Sequence, residues 1–177
     1  MNNNKTLSSR YYIDPEIHEK EKTEILYRTW HYVGHVSQVA NPGDYLTLQL
    51  GDESLIVIRS DNGELKGFYN VCRHRAHRLL EGKGNVKSIT CPYHAWNYSR
   101  DGELCYARNS DKMPGFDKSD YCLAGYQVTT IFEFIFVNLD KNAAPLKDQA
   151  GGFEKDLQHR VPFLDRLKPI QNDTGRS

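Results

Sequence analysis

Two short pairs of metal-ligand residues stand near the middle of the chain. They are Cys72-Arg73-His74 and Cys91-Pro92-Tyr93-His94, with sixteen residues between them. Thiolate and imidazole are the soft-to-borderline donors that hold zinc, copper or iron. Each pair, C-x-H and C-x2-H, carries one donor of each kind on one tight turn. Two such turns facing each other can give Cys72 and Cys91 to one metal and His74 and His94 to a second. That pattern suits a [2Fe–2S] centre in which histidines replace cysteines on one iron. A single zinc accepts the same donors, but zinc modules usually pair like with like, C-x2–4-C and then H-x3–5-H. The mixed pairing favours two irons, and zinc stays as the alternative. Any one of these residues alone reads as a buried thiol or an unrelated histidine. Four at this spacing do not.

The elements that must carry these turns are mostly short strands. Leu46, Leu48 and Leu50 alternate with Thr47 and Gln49 after Asp44, the period of a half-buried strand. Gly51-Asp52 turns the chain and Leu55 to Arg59 forms a second strand. Asp61-Asn62-Gly63 is a hairpin signal, because Asn-Gly supports positive φ. Leu65 to Val71 then delivers Cys72. Gly82 to Asn85 reads as a turn, and Val86 to Thr90 delivers Cys91. Trp96 to Tyr98 and Leu104 to Tyr106 flank the Asp101-Gly102 turn. Asn109 to Asp120 reads as a loop, and Val128 to Thr130 with Phe132 to Leu139 close the region. Many short strands with regular turns predict a mainly β, antiparallel sandwich or barrel.

Asn2 to Tyr12 reads as a loose arm. Asp14-Pro15-Glu16 starts a surface helix running to about Thr29, with a capping Asp, Pro in the first turn and acids at the positive end. His31 and His35 are four apart, but Val33-Gly34 predicts an extended exit from the helix, so both are read as structural. Leu146 to Leu157 is a short helix interrupted by Gly151-Gly152, and the tail to Ser177 carries Leu164, Leu167 and Ile170.

The 177 residues suit one domain with an appendage. Lys plus Arg equals Asp plus Glu, 23 each, so no overall basic field points to nucleic acid. Met1 to Arg10 lacks the apolar stretch of a signal peptide. The run from Ile131 to Leu139 is too short to span a bilayer. A cytoplasmic protein is expected, with Cys105 and Cys122 as free thiols. Arg73, Arg75, His77 and Arg78 form a basic patch beside the ligand pairs, either a solvated loop or a docking site for an electron donor. Trp96 is expected to shield the site. Tyr93 is expected to act as an aromatic lid or to hydrogen-bond a sulfur.

Cys72-Arg73-His74, sixteen residues, Cys91-Pro92-Tyr93-His94 and then Trp96 resembles the Rieske domain of ring-hydroxylating, non-haem iron oxygenase α subunits. So do Trp30 to His35, Phe68 to Val71, the Gly102 turn and Ile135 to Leu139, and the likeness runs from about Pro15 into the tail. The family usually has Gly where Ala95 stands, and Gly is common at Ala76. Rieske proteins of respiratory complexes carry an extra disulfide-linked Cys in each loop, and Arg75-Ala76 and Pro92-Tyr93 hold none.

The resemblance implies a Rieske-type β fold with cluster-binding hairpin loops and an N-terminal helix. It divides the chain into an arm and helix (1–35), a [2Fe–2S] domain (36–141) and a tail (142–177) that would lead to a catalytic domain. It implies a cluster on Cys72, His74, Cys91 and His94 and one-electron transfer from a reductase or ferredoxin to the mononuclear iron of a monooxygenase or dioxygenase, in a trimer. That iron needs two His and one carboxylate. No such set surrounds His159, so no oxygen-activating residue is assigned here. Cys91 to Trp96 and Phe134 to Leu139 look nearest to the branch acting on carnitine, choline or glycine betaine. The alternatives are a stand-alone Rieske ferredoxin and a zinc-stabilised binding module.

Overall fold

The computed structural model describes residues 6–167. Arg10–Ile13 forms a single helical turn, α1, where a loose arm was expected. Helix α2 (Pro15–Glu24) begins as predicted, with the Asp14 carboxylate accepting the Glu16 N–H at 3.0 Å. It buries no residue and lies on the surface. It stops short of Thr29, giving way after its C-cap Ile25 to a 3₁₀ turn at Leu26–Arg28. The Thr29 hydroxyl donates to Ile25 O, and His31 Nε2 lies 2.6 Å from Leu26 O.

The extended exit is strand β1 (His31–His35). The remaining strands are β2 (Asp44–Leu50), β3 (Glu53–Arg59), β4 (Leu65–Tyr69), β5 (Lys83–Asn85), β6 (Ile89–Thr90), β7 (Asn97–Tyr98), β8 (Leu104–Tyr106), β9 (Gly125–Ile131) and β10 (Phe134–Asn138). Seven form one sheet in the order β1-β10-β9-β4-β3-β2-β5, and β6-β7-β8 form a second. The described pairings are antiparallel, as the strand pattern predicted.

Strand β3 shows how the layers are held. Leu55, Ile56, Val57 and Ile58 are all fully buried, so both faces of the strand are covered. Leu55 and Val57 point into one core with Leu46, Tyr126, Ile135 and Val137. Ile56 and Ile58 point into the other, with Ile89, Tyr98 and Leu104 of the small sheet and with Cys72 and Cys91 themselves. The thiols are thus part of the layer between the two sheets.

Three departures have local causes. Lys83–Asn85 was read as a turn and is instead the edge strand β5 on β2. Gly84 fits under the Tyr45 ring, where an added Cβ would meet the phenol oxygen at 3.1 Å, so tertiary pairing overrides turn propensity. The expected strand from Val86 shrinks to Ile89–Thr90. Phe132 and Glu133, read as strand, form the β9–β10 turn with φ of 49° and 66° and no glycine to announce it. Elsewhere the turn chemistry holds: Gly63 has φ 85° after Asn62, and Gly151-Gly152 separates α3 (Leu146–Gln149) from α4 (Phe153–Arg160).

Gly67 has no room for a side chain. A Cβ there would lie 2.4 Å from the Tyr126 ring, whose hydroxyl is tied to Ile56 O at 2.8 Å. Gly67→Ala is expected to destabilise by about 1–3 kcal/mol through overpacking, read as a lower denaturation midpoint at unchanged m-value.

Candidate iron–sulfur site

The two ligand-bearing turns are built alike. In the first, which follows β4, the Cys72 N–H donates to His77 O at 2.8 Å and the Ala76 N–H returns to Cys72 O at 3.0 Å. In the second, between β6 and β7, the Cys91 N–H donates to Trp96 O at 2.8 Å and the Ala95 N–H returns to Cys91 O at 3.0 Å. Each loop therefore closes with the same pair of bonds, four and five residues after its cysteine. Closure requires a left-handed residue at the fourth position, and Ala76 and Ala95 adopt it with φ of 52° and 57°. These are the two positions at which the family resemblance led glycine to be expected. An L-residue in that region costs roughly 1–2 kcal/mol, and glycine gives back roughly 0.4–1 kcal/mol in the unfolded chain. Ala76→Gly and Ala95→Gly are each expected to stabilise by about 0.5–1 kcal/mol, measured by denaturant unfolding of the metal-free protein.

Asn70, buried at the end of β4, pins the first loop. Its side-chain oxygen accepts the N–H groups of Leu79 and Leu80, at 3.1 and 2.9 Å. Its amide donates to Leu80 O at 2.7 Å and Ser54 Oγ at 3.2 Å. One side chain thus joins the loop's start to its end and both to β3. The sequence offered Asn70 only as part of a family-like stretch.

The four candidate ligands come together as two pairs. Cys72 and Cys91 are buried, 3% and 2% exposed, in the same core cluster between the sheets. Burial pushes the Cys72 thiol up from its usual range, with Tyr98 opposing. The imidazoles of His74 and His94 lie with centroids 4.8 Å apart, His74 exposed and His94 half-buried. Burial, the neighbouring His94 and Arg75 lower the His74 pKa. A thiol pair inside and an imidazole pair outside is the arrangement a two-iron cluster with mixed ligands needs.

Tyr98 is the contact that sequence reading missed. It is fully buried on β7. Its oxygen accepts the Arg73 N–H at 3.1 Å and lies 3.3 Å from Cys72 Sγ, so towards a thiolate at Cys72 the hydroxyl is the donor. Burial and Cys72 push its own pKa up, so it remains a donor. Tyr93, read as a lid or a donor to a cluster sulfur, stacks its ring on His94 with centroids 3.8 Å apart, as a lid would. Trp96 is buried and stacks on His74 at 4.7 Å. The Asp101-Gly102 hairpin turn placed Tyr98 on a strand, but nothing in it marked an inward hydroxyl.

A cleft of about 610 Å3 opens over the imidazoles, lined by His74, Arg75, Tyr93, His94, Arg108 and Met113. Arg73, Arg75, His77 and Arg78 are all exposed, and no ion pair among the described residues involves them. From Asn70 to Trp96 there are five Lys and Arg against one Glu, a local positive field in a chain of zero net charge. His31 and His35 lie away from this cleft, on β1, where His35 caps the turn at Val36–Val39. Cys105 and Cys122 are free, exposed and half-buried respectively. No helix among the described residues is long and apolar enough to cross a membrane.

Residues 29–117 match the Rieske [2Fe-2S] domain family. The carnitine monooxygenase oxygenase subunit of Acinetobacter baumannii is 39% identical over 164 residues, covering 92% of this chain and 44% of that protein. The glycine betaine monooxygenase oxygenase subunit of Chromohalobacter salexigens is 38% identical over 159 residues, 85% of this chain and 36% of that one. The chain thus spans less than half the length of these relatives. Among solved structures, the quaternary ammonium Rieske monooxygenase CntA in its apo form superposes with a TM-score of 0.88 at 38% identity, over 92% of this chain and 48% of that one. A naphthalene 1,2-dioxygenase with indole bound gives 0.78 at 32%, over 83% and 34%.

Proposed function

This chain belongs to the Rieske [2Fe–2S] domain family, and on that footing we propose that it relays single electrons from a reductase or ferredoxin to the non-haem iron of an oxygenase. The observation that carries this is the split donor set, two thiols buried between the sheets and two imidazoles at the surface. The family's cofactor is a [2Fe–2S] cluster, which supplies reversible one-electron chemistry when bound. Cys72 and Cys91 would hold one iron, and His74 and His94 the other.

The chain's own residues then divide the work. The sheets and Trp96 exclude water from the thiol side. Tyr98 donates a hydrogen bond to Cys72 Sγ and so favours added negative charge there. The exposed edges of His74 and His94 carry the ring N–H groups that a partner carboxylate can accept. The unpaired arginines around the cleft draw an acidic partner surface to that edge. The relatives named above are oxygenase subunits, and one solved CntA structure is described in terms of inter-subunit electron transfer. They support transfer of the electron between subunits of an assembly and quaternary ammonium compounds as the substrate class; a catalytic iron domain as acceptor and a homotrimer are what the family resemblance adds to the proposal.

Absorption and EPR spectra of the purified protein test the core of this. Two irons and two sulfides per chain, with a dithionite-reduced [2Fe–2S] signal of low average g, are expected. A colourless protein holding one zinc would overturn it. Within the loaded protein, Tyr98→Phe removes one hydrogen bond to sulfur. At about 1 kcal/mol of differential stabilisation and 2.3 kcal/mol per 100 mV, the reduction potential is expected to fall by roughly 40 mV in voltammetry.

A further inference from the structure

We propose that Trp96, braced by Phe116 and Tyr121, is the positioning residue that fixes the plane of the His74 imidazole. This rests on His74 being a ligand. A metal-bound histidine is normally oriented by a hydrogen bond from its other ring nitrogen to a carboxylate or carbonyl. Among the described residues neither His74 nor His94 makes such a bond, and the whole stretch from Arg73 to Arg78 is exposed. Within this chain the contact that fixes the plane of the His74 ring is aromatic, and it leaves the ring N–H free for a partner.

The Trp96 indole lies parallel to the His74 ring, 4.7 Å away with 9° between planes. Trp96 belongs to the second loop and His74 to the first, so this stack also sets one loop against the other. Trp96 is only 7% exposed, and its plane is fixed from behind. Phe116 and Tyr121 meet it edge-on, at 5.9 Å and 86° and at 5.4 Å and 82°. They stack on each other at 4.7 Å and 14°. A series of locked planes therefore runs from the 116–121 segment to the exposed imidazole. His94 has no equivalent. Its cover is Tyr93, which is 57% exposed and has His77 as its other aromatic neighbour, at 5.7 Å. One imidazole is held by a braced, buried ring and the other by a free one. Fixing His74 from its protected face leaves its edge open while keeping its direction constant, which a ligand at an electron exit requires.

The test begins on the metal-free full chain by NMR. The His74 ring protons, assigned by their absence in His74→Gln, are expected upfield of free histidine through the indole ring current. Trp96→Leu abolishes that shift, Trp96→Phe keeps part of it, and Phe116→Leu with Tyr121→Leu broadens or reduces it. In the iron- and sulfide-loaded protein, Trp96→Leu keeps the metal content but alters one of two imidazole nitrogen couplings in electron–nuclear double resonance, and Trp96→Phe restores it. Wild-type His74 protons at the free-histidine position would overturn the proposal, as would unchanged couplings in Trp96→Leu. If Trp96→Leu does not fold, the brace variants decide in its place, and an unchanged His74 signal in them sinks the idea. Absence of imidazole nitrogen couplings in the loaded wild type would instead refute the ligand assignment, while the metal-free shifts still decide the stacking.

Discussion

Asn70→Ala is expected to lower stability by about 3–4 kcal/mol and to abolish cluster uptake. The side chain makes four hydrogen bonds from a 2% exposed position. Alanine leaves the N–H groups of Leu79 and Leu80 and the carbonyl of Leu80 without partners in a space too apolar to hydrate them well. Each unsatisfied buried group costs roughly 1–3 kcal/mol, and partial relaxation of the loop keeps the total below the sum. The first ligand loop then keeps its internal closure at Cys72 and the backbone bond of residue 70 to Ser54 O, but nothing ties its end at Leu79 and Leu80 back to its start, so Cys72 and His74 are no longer held against the second loop. Asn70→Asp separates the two halves of the effect. It keeps an acceptor for both N–H groups and loses the donor to Leu80 O, so an intermediate loss is expected. Denaturant unfolding of the metal-free chain, with iron content after reconstitution, measures both. A variant of wild-type stability that still loads iron would show that the loop does not depend on this anchor.

How far the sequence revealed this site depended on whether a feature is local. The C-x-H and C-x2-H spacing is local, and in the fold Cys72 and Cys91 share one buried cluster while the His74 and His94 rings lie with centroids 4.8 Å apart. The hairpin at Asn62-Gly63 and the break at Gly151-Gly152 were legible because glycine states its own reason. What stayed hidden depends on partners distant in the chain. Tyr98 looks like any strand tyrosine until Arg73 and Cys72 arrive on its hydroxyl from twenty-five and twenty-six residues away. Asn70 looks like a polar strand end until Ser54 and Leu80 close on it. Lys83–Asn85 carries two glycines' worth of turn signal around it, yet pairs with β2 because Tyr45 needs a flat neighbour. Ala76 and Ala95 are the converse case. Alanine gives no sign of a left-handed backbone, but the loop's hydrogen bonds impose it and the chain bears the strain.

His94→Cys is expected to retain two irons and two sulfides and to lower the reduction potential by about 100 mV or more. Formally, two ferric ions, two sulfides and two thiolates sum to zero, because neutral imidazole adds no charge. A third thiolate makes the oxidised centre negative, so the incoming electron meets repulsion in a site screened on its inner side by the sheets. Four-cysteine plant-type clusters lie near −400 mV and histidine-substituted ones at roughly −150 mV and above. Two ligand changes therefore account for at least about 250 mV, and one for about half of that. His94 is the better of the two histidines to change. Its ring is covered only by the exposed Tyr93, whereas removing His74 would also empty the face against which Trp96 is packed. The same substitution takes away one exposed ring N–H, so electron delivery to an acceptor is expected to slow even where the lower potential favours it. The two effects separate in voltammetry, which reads the potential without a protein partner. A loaded His94→Cys protein with the wild-type potential would mean that His94 is not a ligand, and the second iron's donors would have to be sought elsewhere around the cleft.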